Sequence, residues 1–198
     1  MSLYTYFLHD AITDKREKRD LIHKTVDANR SGRYQKGGLV DFRDRLPLGY
    51  EIIIVGDMHA RCDNLRRILE SRDNMSKIER GDAILVILGD AVHNEMRGRI
   101  GGSRDVKRLK EMSSSAQMIQ AIMRLKLKNP DTVYYLLGNH DYLSKKFRKG
   151  SVAQGWEYRK EIQRQFGRGG VKAYEQFISS SPILMVGEGI VANHAGPI

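Results

Sequence analysis

Gly138-Asn139-His140-Asp141 sets three side chains with nitrogen or oxygen donors at one point of the chain, directly after Thr132-Val133-Tyr134-Tyr135-Leu136-Leu137. That β-branched and aromatic run reads as a buried strand, and the glycine lets the chain turn at its end. Alone, the tetrapeptide is ordinary turn chemistry, since Asn and Asp are common in turns. Three other apolar runs end in the same way. Glu51–Val55 leads into Gly56-Asp57-Met58-His59, Ala83–Leu88 into Gly89-Asp90, and Gly189–Ala192 into Asn193-His194-Ala195-Gly196. Asp57 and His59 are two residues apart, so on an extended strand end both point to the same side and can chelate one ion. Carboxylate, imidazole and amide oxygen suit a hard or borderline divalent metal. The carboxyl ends of strands are also where sites are built in open α/β sheets.

The order Gly-Asp-x-His, Gly-Asp, Gly-Asn-His-Asp and His-Ala-Gly resembles the calcineurin-like metallophosphoesterases, over roughly residues 50 to 198. Within them it is similar to the phosphoprotein phosphatase branch, which also contains the diadenosine tetraphosphate hydrolases. The resemblance implies an α/β fold, a four-layer α-β-β-α sandwich with mixed sheets. It also implies metal-dependent hydrolysis of phosphate esters at a dinuclear site with a bridging hydroxide. Two divalent ions would serve, Mn2+ first, with Fe, Zn2+ or Ni2+ as alternatives. Asp57 and His59 would hold the first metal, Asp90 would bridge both, and Asn139 and His194 would hold the second. His140 would be the general acid, with Asp141 beside it in the catalytic set. The substrate would be phosphorylated and anionic. A phosphoprotein leads; a dinucleoside polyphosphate is the alternative, and a degenerate anion-binding member without catalysis is a third reading.

Several positions depart from the family pattern. Where the second motif continues with an Asp that orients the general acid and an Arg that grips phosphate, this chain has His93 and Asn94. Arg61 or Arg97 is therefore expected to take over the phosphate grip, because a planar guanidinium binds two phosphate oxygens at once. Ala60 replaces a common Gly after the first His, Asp141 stands where eukaryotic phosphatases carry Glu, and no Arg precedes Gly138. The family supplies a further His to the second metal well after His-Ala-Gly, whereas this chain ends at Ile198. We accordingly read the chain as a fragment whose C-terminal part is missing, with a tight first metal site and a weak second one. The rival is that His9 or His23 completes the site.

The chain has 198 residues, a formal charge of +10 and a single cysteine, Cys62. The charge favours an anionic partner. One cysteine excludes an internal disulfide framework and fits a reducing, cytoplasmic compartment. No run approaches the roughly 20 apolar residues of a membrane span. Nucleic acid is not expected, since the charge run Asp14–Asp20 is diluted by acids and has no aromatic residues between the basic ones.

The elements that must position the site follow from spacing. Residues 1–49 read as an N-terminal extension: a solvated helix over 10–25, then a glycine-punctuated loop over 29–49. A helix follows Asp63, with Leu65, Ile68 and Leu69 on one face. Residues 94–112 form a Gly- and Arg-rich excursion, and 113–126 a helix with Met118, Ile119, Ile122 and Leu125 at core spacing. Residues 142–181 read as a helical cap in which Trp156 anchors the cap or walls a groove. Strands over 182–186 and 189–192 close the metallophosphoesterase domain, residues 50–198.

Overall fold

Ala83–Ile87 is buried along its whole length, as a strand covered on both faces must be. It is the centre of a parallel sheet in the order β3-β4-β5, with β3 at Glu51–Val55, β4 at Ala83–Ile87 and β5 at Val133–Tyr135. Val55 pairs with Ile87, and Ile87 with Tyr135, so the three carboxyl ends lie level. The computed structural model describes residues 14–43, 46, 49–93, 106–146 and 153–195. His9, Asn94, Arg97 and Gly196 fall outside that set.

Alternate residues of β4 feed two cores. Leu85 and Ile87 face a helical layer and pack with Leu65, Leu69, Met118, Ile119, Ile122 and Leu125. Ile84 and Val86 face a second sheet through Tyr34, Val40, Phe42 and Met185. This sheet runs β1-β2-β6-β7, from Gln35–Lys36, Leu39–Asp41, Leu184–Gly187 and Ile190–Asn193. It is mixed: β2 pairs parallel with β6, while β1–β2 and β6–β7 are antiparallel. Among the described residues the layers therefore run helices, parallel sheet, mixed sheet, three consecutive layers of an α-β-β-α sandwich.

The helical layer comprises α1 (Lys15–Ser31), α2 (Cys62–Glu70), α3 (Asn74–Arg80), α4 (Val106–Lys128), α5 (Gln154–Phe166) and α6 (Gly170–Ser180). Met118, Ile119, Ile122 and Leu125 on α4 are all buried, as their spacing requires. Two differences from expectation concern the N-terminal stretch. α1 does not lie free in solvent: Leu21, Ile22, Thr25, Val26 and Asn29 are buried. Arg19 donates to Phe166 O at 2.7 Å, and Asn29 to Ser180 Oγ at 3.2 Å, tying α1 to the ends of α5 and α6. Residues 29–49 do not read through as a loop either, because they supply β1 and β2. The physical reason is burial: Tyr34, Val40 and Phe42 fill the space between the sheets, and each fully buried side chain of that size contributes roughly 1.5–3 kcal/mol. Residues described from 142–181 include α5 and α6, whose Tyr158, Ile162, Tyr174 and Phe177 enter the main core.

Candidate metal centre at the strand ends

Gly89 and Gly138 let two strand ends converge. A Cβ on Gly89 would overlap Gly138 N, and one on Gly138 would overlap the Asp90 carboxylate and amide. No other residue type fits that approach. The loops beyond the strands are then laced together by backbone: His59 N donates to Asp90 O at 2.9 Å and Ala60 N to Ala91 O at 2.7 Å. Leu137 N donates to Pro182 O at 2.8 Å, which draws in the segment before β6. His59, Ala60, Asp90 and His93 all adopt positive φ, at 43°, 57°, 48° and 63°. Strain of this kind, costing of order 1–3 kcal/mol per residue, persists where the surroundings over-determine it, commonly at functional sites. It also explains why a glycine would be relaxed where Ala60 stands.

The side chains at these ends meet. Asp90 is 3 % exposed. Its Oδ1 accepts from His140 N at 2.8 Å, and its Oδ2 lies 3.2 Å from His194 Nε2 and 3.9 Å from His140 Nε2. Asp57 is exposed and lies 3.8 Å from His59 Nε2 and 3.7 Å from His194 Nδ1. Asn139 Oδ1 is 2.9 Å from His194 Nε2. Donor atoms of Asp57, Asp90 and His194 all fall within 4.8 Å of one another. Thus Asp57, His59, Asp90, Asn139, His140 and His194 are brought to one place.

The donor set fits a divalent cation. His59 Nδ1 faces two carbonyls, Val92 O at 3.2 Å and His93 O at 2.9 Å, and His194 Nδ1 faces Leu88 O at 2.7 Å. A carbonyl only accepts, so Nδ1 of each ring donates, and Nε2 is the atom turned toward the Asp57 or Asp90 carboxylate. Fixing a ring through its other nitrogen is how metal-binding histidines are oriented. Two carboxylates and two such rings in one spot form an oxygen and nitrogen donor set suited to a divalent cation.

Behind this front lies a buried polar layer. Asp141 is fully buried, and its Oδ2 accepts from Gly138 N at 2.7 Å and Asp90 N at 3.2 Å. Burial pushes its pKa up to about 7, against the pull of those N–H groups. It therefore braces the β4 and β5 ends from inside and does not face the open side of the site. His93 is also buried, at 1 % exposure. Burial, reinforced by the neighbouring His140 and His59, pushes its pKa down to about 3, so the ring is neutral. Its edge packs on His140 and on Tyr158, with centroids 5.9 and 5.5 Å apart. Tyr158 and Tyr174 come from α5 and α6, far along the chain, and no local pattern marks them as neighbours of the site.

Of the two arginines expected to grip phosphate, Arg61 is exposed at the start of α2, two residues after His59. Arg97 lies outside the described residues. His23 is exposed on α1 and is not part of the Asp57–Asp90–His194 cluster. Cys62 is a half-buried free thiol, and burial pushes its pKa up to about 11. No helix among the described residues is long and apolar enough to cross a membrane.

Comparison with known proteins agrees with this geometry. A family model described as calcineurin-like phosphoesterase matches residues 50–197. A solved serine/threonine protein phosphatase from Saccharomyces cerevisiae, described as similar to human phosphatase PP5, superimposes with a TM-score of 0.63 at 15% identity. The match covers 92% of this chain and 48% of that chain, so this chain spans about half the length of the phosphatase. No curated protein sequence matches.

Proposed function

The chain belongs to the calcineurin-like phosphoesterases, and we propose that its strand-end centre hydrolyses phosphate monoesters, with phosphoproteins as the leading substrate class. On this reading Asp57, His59 and Asp90 hold one divalent ion, and Asp90, Asn139 and His194 hold a second. Bound there, the ions would polarise the phosphate and make water a potent nucleophile at neutral pH. The observation that carries the reading is the Asp57–Asp90–His194 donor cluster, with His59 and His194 each pinned through Nδ1.

The chain's own residues have distinct tasks. His140 is the general acid: its Nε2 sits beside Asp90 at 3.9 Å, and it delivers a proton to the leaving oxygen. The bond from His140 N to Asp90 Oδ1 fixes the backbone that carries it. Asp141 acts through others, holding Gly138 and Asp90 in register. Arg61, exposed beside His59, is a candidate to grip phosphate, and with Arg97 it forms the pair to test. A phosphoserine-type substrate is supported by the likeness in fold to a protein phosphatase. A dinucleoside polyphosphate remains the second reading, because Gly-Asn-His-Asp and His-Ala-Gly are shared with its hydrolases.

Metal-reconstituted protein assayed against p-nitrophenyl phosphate, phosphoserine and phosphothreonine peptides and diadenosine tetraphosphate separates these. Phosphate release from the peptides supports the leading reading. Nucleotide release without peptide turnover favours the second, and no hydrolysis of any substrate contradicts both.

A further inference from the structure

Ser115, in the interior of α4, is fully buried on a helix face that is otherwise apolar: Met112, Ala116 and Ile119 beside it enter the core. A buried hydroxyl is costly unless it is hydrogen-bonded, and this one is bonded twice. Its proton goes to Glu111 O at 2.9 Å, one turn back, and its oxygen accepts from His93 N at 2.9 Å. We propose that Ser115 is a positioning residue for the first metal site: its hydroxyl fixes the Val92–His93 peptide, whose oxygen faces the His59 ring. The proposal rests on the reading above in which His59 holds an ion, and adds to it the group that aims this ligand.

The bond to Glu111 O alone would be ordinary, since serines inside helices often turn back to the carbonyl four residues earlier. The second bond is not local. It joins α4 to a loop 22 residues away in the chain, and it catches that loop where the backbone is strained. His93 has a φ of 63°, a conformation that persists where the surroundings over-determine it. Among the described residues, Ser115 holds its N–H, and His140 and Tyr158 pack edge-on against its ring.

The planar peptide carries the effect onward. In a trans peptide the N–H of one residue and the C=O of the residue before it lie on opposite sides of a rigid plane. Holding His93 N on the α4 side therefore directs Val92 O to the other side, where it lies 3.2 Å from His59 Nδ1. His93 O, the next carbonyl, reaches the same ring nitrogen at 2.9 Å. With Nδ1 held by these two carbonyls, Nε2 sits 3.8 Å from Asp57 Oδ2. The His59 backbone is held separately, by its own N–H to Asp90 O at 2.9 Å. What Ser115 governs is thus the direction of the ring, and with it the fit of a ligand to its ion.

The full chain, stripped of metal with chelator, is titrated calorimetrically with Mn2+ as wild type, Ser115→Ala and Ile122→Ala. Ser115→Ala should weaken the tighter Mn2+ site by about tenfold, the lower end of the loss that attends an outer partner of a metal ligand. Ile122→Ala, a core truncation on the same helix, should melt earlier yet bind Mn2+ as wild type does. A second readout needs no metal. The His59 Nδ1–H proton, assigned by its disappearance in His59→Asn, should give an NMR signal in the stripped wild type and exchange faster with water in Ser115→Ala. Wild-type Mn2+ affinity in Ser115→Ala, an equal loss in Ile122→Ala, or an unchanged Nδ1–H signal would overturn the proposal. If the wild type binds no Mn2+, the metal reading above fails, and the Nδ1–H comparison still decides whether Ser115 aims the ring.

Discussion

Asp90 concentrates the contacts of the site in one residue. Its N–H is held by Asp141, one carboxylate oxygen by His140 N, and the other faces His194 and His140. A carboxylate that is 3 % exposed and faces two imidazole nitrogens is stabilised by a cation. Two predictions belong at this scale. His140→Asn should lower turnover by roughly 10²–10⁴-fold with metal content retained, and the loss should be smaller for nitrophenyl phosphate than for an alkyl phosphate. An equal loss for both leaving groups argues against proton donation. Asp141→Ala should leave the buried Gly138 and Asp90 N–H groups unpaired, costing roughly 1–3 kcal/mol of stability. Asp141→Asn, which keeps an acceptor oxygen, should recover most of that in thermal melts. Asp57, His59, Asp90, Asn139, His140 and His194 were readable from sequence because each sits where an apolar run stops. His93 was noticed only as a departure, and its neighbours Tyr158 and Tyr174 gave no signal, since helical spacing marks them merely as core.

At the scale of elements, the strands were legible where burial is symmetrical. β4 is apolar throughout because both faces are covered, and β3 and β5 follow its register. β1 and β2 were not, being two and three residues long and separated by Gly37-Gly38. The buried side of α1 was masked by its charge run, with Thr25 and Asn29 occupying core-facing positions. Gly138→Ala tests how the strand ends are joined. Its Cβ must displace Asp90 backbone and carboxylate, and overpacking of this kind costs typically 1–3 kcal/mol. The variant should melt earlier and bind metal more weakly; unchanged melting and binding would contradict the convergence described here. The end of α4 offers a pH test. Lys126 is buried, donates to Pro130 O at 2.5 Å and lies 4.1 Å above the Tyr134 ring. Burial pulls its pKa from 10.5 down to about 7. Between those values the unfolded chain holds a proton that the folded one releases, so stability rises with pH across that window. Lys126→Met should flatten the melting temperature between pH 7 and 10 and raise it at pH 7. An identical pH slope in the variant would show that the ammonium keeps its proton in the fold.

At the scale of the molecule, three layers serve one edge. The helical layer and the mixed sheet clamp the parallel sheet from both sides, which holds its carboxyl ends level, and β7 reaches across so that His194 meets Leu88 O. The two sheets are thus pinned to each other at the site, and the same hydrogen bond orients a ligand. Metal dependence tests the account most directly. Protein stripped with chelator and then reconstituted with Mn2+ is assayed for bound ions per chain and for p-nitrophenyl phosphate hydrolysis, alongside Asp90→Asn. The account predicts that stripped protein is inactive, that activity rises with bound metal, and that Asp90→Asn loses more affinity than the roughly 10–100-fold attached to an outer partner of a metal ligand and stays inactive. Hydrolysis by stripped protein at the reconstituted rate, or an Asp90→Asn variant that keeps both metal and turnover, would contradict it.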